Sequence, residues 1–193
     1  MNHISPFFLS FVVLLIFNLH FIHSQTFDPF YLNDKNRSSI ERSGDLIQIA
    51  IPIAGLGYTY YADDVLGRKQ FWSSYLSSLS LTYLLKYTIN KERPNGDCCE
   101  SFPSGHTASA FAGAMFIQKR YGSKYGIPSL ILASFVAYSR VHAKKHFWED
   151  VIAGALISTT ANLILTVKKA GDNNTAINFY LHSNQLQLQF SLN

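Results

Sequence analysis

Five weakly to moderately apolar segments recur along the chain, and they restrict the fold more than any other feature. They cover residues 46–62, 71–85, 107–118, 127–138 and 151–167. Each has the length and residue content of a helix, although most are shorter than the roughly 20 residues that a membrane-spanning helix needs. The sequence therefore predicts an all-α fold, a bundle of five helices with a sixth added if the N-terminal apolar stretch is retained.

The low charge of the chain indicates a membrane. Charged residues make up 15% of the sequence and hydrophobic residues 48%, whereas soluble domains average about 25% charged. Alternate connections between the segments carry the basic residues, as cytoplasmic loops do. They are Arg68, Lys69, Lys119, Arg120, Lys124, Lys168 and Lys169. We expect the bundle to be embedded in a bacterial inner membrane; the alternative is a soluble, exported bundle with the same segments as its core.

The two ends of the chain differ from this helical region. Residues 1–24 are strongly apolar and are interpreted as a signal peptide or as a first membrane helix. A polar segment at 25–45 is expected on the exported side, and the helical domain at 46–170 follows it. In the polar tail at 171–193, hydrophobic residues alternate with mostly polar ones, which predicts a short β-hairpin turning near Ser183 and Asn184.

Three short motifs in the connections contain the residue types that phosphate chemistry requires. A lysine and two arginines supply fixed positive charge, and a planar guanidinium matches two phosphate oxygens at once. Two histidines titrate near neutral pH, and a carboxylate is available to orient one of them. These residues are Lys86, Arg93, Arg140, His106, His146 and Asp150. All three motifs fall on the side opposite the basic connections, so the helices would bring them to one face.

The motifs resemble the signature of the superfamily of type 2 phosphatidic acid phosphatases, bacterial acid phosphatases and vanadium haloperoxidases. That signature has three parts, Kx6RP, PSGH and SRx5Hx3D, and every fixed position is present here in the right order. The fixed positions are Lys86, Arg93, Pro94, Pro103, Ser104, Gly105, His106, Ser139, Arg140, His146 and Asp150. They bracket about a third of the chain, and their combined spacing is specific.

The resemblance implies a role for each histidine. His146 would attack phosphorus to form a phosphohistidine, while His106 would protonate the leaving oxygen and then act as general base for water. His146 and Asp150 are four residues apart. If this segment is helical they share a face, and the Asp150 carboxylate would accept the Nδ1 proton of His146.

The remaining motif residues are expected to bind phosphate. Lys86, Arg93 and Arg140 would neutralise its oxygens, and Ser104 and Gly105 would open a helix whose free N–H groups point at the same oxygens. Three cations in one pocket would repel a divalent ion, so we expect no metal and no other cofactor.

These features predict a metal-independent phosphatase that hydrolyses lipid phosphomonoesters or pyrophosphates on the periplasmic face of the membrane. A soluble periplasmic acid phosphatase is the nearest alternative, and a vanadium haloperoxidase or a catalytically silent lipid-binding protein are further ones. The expected partners are a phosphorylated lipid and the membrane, with no nucleic acid and no obligate protein partner.

Overall fold

A computed structural model describes residues 37–169 and the backbone of two later strands, 177–182 and 185–190. The N-terminal segment 1–24 and most of the polar segment 25–45 lie outside these residues. The helices are α1 Ser39–Tyr61, α2 Val65–Ile89, α3 Gly105–Tyr121, α4 Ser123–His142 and α5 Trp148–Leu165. The strands β1 Ile177–His182 and β2 Gln185–Phe190 pair antiparallel. The predicted helical bundle and the C-terminal hairpin are thus both present.

Polar capping residues extend several helices beyond their apolar segments. Helix α1 begins at Ser39 rather than Leu46, because the hydroxyl of Ser38 accepts a hydrogen bond from Glu41 N at 3.1 Å. Helix α2 begins at Val65, where the Asp64 carboxylate accepts one from Gly67 N at 2.9 Å. A hydrophobic pattern does not predict where such a helix begins, because a capping residue acts through one polar atom.

Helix α3 lies at the centre of the bundle and packs against each of the other four helices. It is rich in small residues, and Ala108, Ala110 and Ala114 have no exposed surface. A Cβ added at Gly113 would lie 2.7 Å from the backbone nitrogen of Pro52. The small side chains therefore let α1 approach the α3 backbone closely, as in tightly packed helix pairs.

The interior of the bundle contains buried polar side chains beside a hydrophobic core that includes Phe71, Phe116 and Val136, and many large apolar side chains lie on the outside. The hydroxyl of Ser158 donates to the Ala108 carbonyl at 2.7 Å, and Asn162 donates to the Ala112 carbonyl at 3.1 Å. Exposed apolar side chains include those of Leu46, Ile53, Tyr61, Leu84, Ile131, Ile152, Leu156, Leu163 and Ile164. This much exposed apolar surface is unusual for a monomer surrounded by water, and it indicates an apolar environment or partner.

Among the described residues, no helix combines the length and hydropathy expected of a membrane span.

The helices alternate in direction, so the bundle has two ends. The motif end contains the starts of α1, α3 and α5 and the ends of α2 and α4. At the other end, here called the Asp64 end, the buried Asp64 carboxylate receives two hydrogen bonds from Arg120, at 2.6 and 2.8 Å, and one from the Tyr121 hydroxyl at 2.9 Å. Arg120 also donates to the Val167 carbonyl at 2.9 Å, which holds the segment after α5 against α3.

Candidate functional site

All eight predicted site residues lie at the motif end. Lys86 is in the last turn of α2, and Arg93 follows in the loop 90–104. Ser104 caps α3, with Gly105 and His106 in its first turn, and Arg140 is in the last turn of α4. His146 lies in the loop 143–147, and Asp150 is in the first turn of α5. The alternating helix directions therefore collect three separated motifs into one region.

His146 is held in a form suited to nucleophilic attack. Its side chain is only 5% exposed, and its Nδ1 lies 2.7 Å from the carbonyl oxygen of Ser101. A carbonyl only accepts hydrogen bonds, so Nδ1 carries the proton and Nε2 keeps its lone pair. Burial, with the positive charge of Lys86 second, lowers the pKa of His146 from its ordinary value of 6.5 to about 2. The ring is thus neutral at physiological pH.

Asp150 lies close to His146, but its shortest hydrogen bonds are to other groups. His146 precedes α5, so the two residues do not share a helix face, and their nearest atoms are 3.9 Å apart. Instead, the buried carboxylate accepts hydrogen bonds from the Ser101 hydroxyl at 2.5 Å, Phe147 N at 2.8 Å and Lys91 Nζ at 2.7 Å. Asp150 therefore holds Ser101 and Phe147, which both contact or adjoin His146, and the Ser101 carbonyl accepts the hydrogen bond from Nδ1.

Two of the predicted cations lie next to one another beside His146. Lys86 is 2% exposed and donates to the Glu100 carbonyl. Burial and the neighbouring Arg93 lower the pKa of Lys86 from 10.5 to about 8, so it remains mainly charged at neutral pH. The buried Nε of Arg93 has no hydrogen-bond partner among the described residues. That donor is therefore available to an anion in the site.

The start of α3 provides the predicted helix N-terminus. The Ser104 hydroxyl accepts from the hydroxyl of Thr107 at 3.0 Å, and its oxygen faces Thr107 N at 3.4 Å. Ser104 N donates to the Asp150 carbonyl at 2.9 Å, so that N–H is not free for a ligand. A Cβ at Gly105 would lie 2.5 Å from the Tyr83 hydroxyl. Gly105 thus serves close packing against α2 as well as access to the helix start.

His106 and Arg140 meet at a residue that the sequence analysis did not select. One carboxylate oxygen of Asp45 lies 2.6 Å from Arg140 Nη1 and 3.3 Å from His106 Nε2. Arg140 also donates to the Glu41 carbonyl at 2.7 Å. Asp45 and Ser101 are therefore two site residues that sequence reasoning missed. Neither belongs to a spaced motif, and Ser101 contacts His146 through its backbone.

The depressed pKa of His146 predicts that acid destabilises the protein. Folded His146 stays neutral down to about pH 2, whereas the unfolded chain takes up a proton near pH 6.5. The stabilisation is complete above pH 6.5, and the unfolding free energy should fall by up to about 1.4 kcal/mol per pH unit below it. Denaturant unfolding between pH 7.5 and 5 measures this slope. It should be shallower in His146→Asn, and equal slopes in both proteins would contradict the prediction.

The site brings a neutral imidazole, a second histidine, three cations and a helix start to one end of the bundle. Such a set has the charges and the unprotonated nitrogen that binding a tetrahedral oxyanion and attacking it would require.

Comparisons with known proteins agree with this chemistry. The PAP2 superfamily model matches residues 69–172. A lipid A 1-phosphatase of Porphyromonas gingivalis is 31% identical over 131 residues, covering 62% of this chain and 28% of the relative. A lipid A 4'-phosphatase of Helicobacter pylori is 42% identical over 64 residues, covering 32% of each protein. The chain thus spans less than a third of the length of either curated relative.

A solved structure shares the fold. The crystal structure of Aquifex aeolicus LpxE matches with a TM-score of 0.51 at 22% identity, covering 69% of this chain and 89% of that one. The helical arrangement described above is therefore one that occurs in an experimentally determined protein.

Proposed function

The chain belongs to the PAP2 superfamily, and on that basis we propose that it is a metal-independent phosphatase of lipid phosphomonoesters that acts through a phosphohistidine on His146. The observation that carries this proposal is the state of His146. It is buried and neutral, with Nδ1 bound to the Ser101 carbonyl. Its Nε2 keeps a lone pair, and the charges of Lys86 and Arg93 act on the ring and suit an anion.

The proposed reaction has two displacements. His146 Nε2 attacks phosphorus, the bond to the ester oxygen breaks, and His106 gives its proton to that oxygen. Water then attacks the phosphohistidine while neutral His106 takes a proton from it, which releases phosphate and restores both histidines. Lys86, Arg93 and Arg140, with the Ser104 hydroxyl and the start of α3, stabilise the charge on the transferred group.

Apolar side chains around the motif end support a lipid substrate. Trp148 and Ile152 follow His146 in the chain and are 56% and 54% exposed. Ile89 is exposed three residues after Lys86. An acyl chain attached to the phosphate would lie against such side chains, and both curated relatives described above are named for lipid A phosphatase activity. We propose lipid A phosphates and phosphatidic acid as the first substrates to test.

The basic connections at one end of the bundle are an argument for its orientation in a membrane, while the motif end carries its own cations, among them the proposed phosphate ligands. The basic connections lie at the Asp64 end, where Lys169 N donates to the Arg120 carbonyl at 3.0 Å and Arg68 donates to the Thr59 carbonyl at 3.2 Å. Basic residues favour the cytoplasmic side. We therefore propose that the apolar surface contacts a bacterial inner membrane and that the motif end faces the periplasm.

Phosphate release by the purified full chain in detergent micelles tests the function. We expect release from phosphatidic acid or lipid A in excess EDTA, and inhibition by orthovanadate, an analogue of the transferred phosphoryl group. Activity that EDTA removes would contradict the metal-independent mechanism. Failure to release phosphate from either lipid and from p-nitrophenyl phosphate would reject the proposed function. Recovery of the protein by osmotic shock without detergent would reject the membrane location.

A further inference from the structure

Asp45 is a charged residue in the site that lies outside the three motifs. Its side chain is 16% exposed, and one of its oxygens contacts both Arg140 and His106, at 2.6 and 3.3 Å. The approach of α1 makes this contact, because Gly44 packs directly on Ser139. A Cβ on Gly44 would clash with the Ser139 side chain and lie 2.9 Å from Arg140 Nη2. The close packing of Gly44 on Ser139 thus fixes the position of Asp45 beside Arg140 and His106.

We propose that Asp45 is a positioning residue for His106, which it orients and keeps supplied with a proton; this inference rests on the proposed phosphatase function. One oxygen of this carboxylate lies 3.3 Å from Nε2 of His106, so the proton of that nitrogen is the one that faces Asp45. Among the described residues, no protein group forms a hydrogen bond with Nδ1 of His106. Nδ1 is therefore the nitrogen that presents a proton to the leaving oxygen.

The proton balance is simple in this arrangement. Doubly protonated His106 gives its Nδ1 proton to the ester oxygen as the bond to phosphorus breaks. The neutral ring keeps the Nε2 proton on the side of Asp45, so the ring does not turn between the two displacements. Water then returns a proton to Nδ1 as it attacks the phosphohistidine.

The charges around His106 explain why such a residue is required. Burial, with the positive charges of Arg140 on α4 and Lys86 on α2, lowers the pKa of His106 below its ordinary value of 6.5, and Asp45 on α1 is the group that opposes this shift. His146, in the loop before α5, is neutral and adds no charge. In a site rich in cations, a neighbouring carboxylate limits the fall in the pKa of a histidine acid, and without it the ring would hold its proton less tightly.

Histidine titration by NMR tests the proposal without turnover. In detergent micelles, Asp45→Asn should lower the pKa of His106 by about one unit or more, because an adjacent opposite charge is lost. His106→Gln assigns the resonance. Asp63→Asn is the matched control, since it makes the same change at a 95% exposed carboxylate at the Asp64 end. An unchanged His106 titration in Asp45→Asn would overturn the proposal whether or not the chain hydrolyses any substrate.

Leaving-group dependence tests the role in catalysis. Asp45→Asn should lower kcat about 10- to 100-fold on an alkyl phosphate and much less on p-nitrophenyl phosphate, whose leaving group needs little protonation. Equal losses on both would overturn the proposal. So would tighter vanadate binding without a leaving-group effect, which would identify Asp45 as an anion that competes with phosphate. A wild-type chain inactive on every substrate would instead reject the proposed function.

A second variant covers the case in which Asp45→Asn does not fold. Asp45→Glu keeps the negative charge beside Arg140 but moves the carboxylate relative to His106. We expect Asp45→Glu to change the His106 titration less than Asp45→Asn does, and to lower kcat on the alkyl phosphate less. Wild-type values for both quantities would show that position is unimportant and would overturn the positioning role.

Discussion

Replacing His146 with asparagine should lower phosphate release from a lipid phosphate by at least about 10⁴-fold, the scale seen when a nucleophile is removed. Asparagine retains an N–H that can donate to the Ser101 carbonyl, as Nδ1 does at 2.7 Å in the native site. It has no counterpart of the Nε2 lone pair. The substitution therefore removes the proposed nucleophile with little change to its surroundings.

Trapping of the proposed phosphohistidine tests directly whether His146 is the nucleophile. A brief reaction with a ³²P-labelled substrate should leave alkali-stable, acid-labile label on the wild-type chain and none on His146→Asn. His142→Asn is the matched control. His142 lies in the last turn of α4 with its ring near Tyr138, outside the motif spacing. It should retain both label and turnover, whereas label on His146→Asn would assign the nucleophile to another residue.

The sequence predicted the parts of the site that depend on side-chain identity and spacing. Lys86, Arg140, His106 and His146 could be selected because phosphate chemistry needs these residue types and the motifs place them in connections on one face. Helix number and order followed from the apolar segments. The PAP2 match and the shared helical fold confirm the family and the fold, while the roles of individual residues remain predictions.

The parts of the site that the sequence did not predict depend on contacts that the spacing of residues along the chain does not encode. Ser101 acts on His146 through a carbonyl, which every residue possesses, so its identity gives no signal. Asp45 reaches Arg140 only because α1 begins before its apolar segment and Gly44 permits close approach. The position of Asp150, 3.9 Å from His146 with the Ser101 carbonyl nearer to Nδ1, depends on where α5 starts. Each of these depends on a helix boundary or a packing distance, and hydrophobic periodicity determines neither.

Asp64→Asn should lower the unfolding free energy by about 3–5 kcal/mol, as expected when one partner of a buried ion pair is lost. The amide oxygen of the new side chain would still accept the cap hydrogen bond from Gly67 N. Arg120, 4% exposed, would lose its charged partner and, within residues 37–169, would retain side-chain hydrogen bonds only to Gln70 and the Val167 carbonyl besides position 64. Total stabilities are only about 5–15 kcal/mol, so this loss is large.

The neighbouring carboxylate provides the control for this prediction. Asp63 is 95% exposed, and its ion pair with Arg68 is long at 3.8 Å. Asp63→Asn should therefore change the unfolding free energy by no more than about 0.5 kcal/mol. Denaturant unfolding of both variants in the same detergent gives the comparison. Similar losses in the two variants would contradict a stabilising role for the buried pair. Adding Arg120→Met to Asp64→Asn removes the unpaired charge and should recover part of the loss.

The pH dependence of the unfolding free energy distinguishes stabilisation by the charge of Asp64 from stabilisation by its packing. Hydrogen bonds from Arg120 hold the pKa of Asp64 well below its usual range, so its contribution to stability is complete above about pH 4 and is lost as acid protonates the folded protein. The stability difference between the wild-type chain and Asp64→Asn should therefore shrink as the pH falls below about 4. A difference that stays constant down to about pH 2 would mean that Asp64 stabilises the end of the bundle through packing alone.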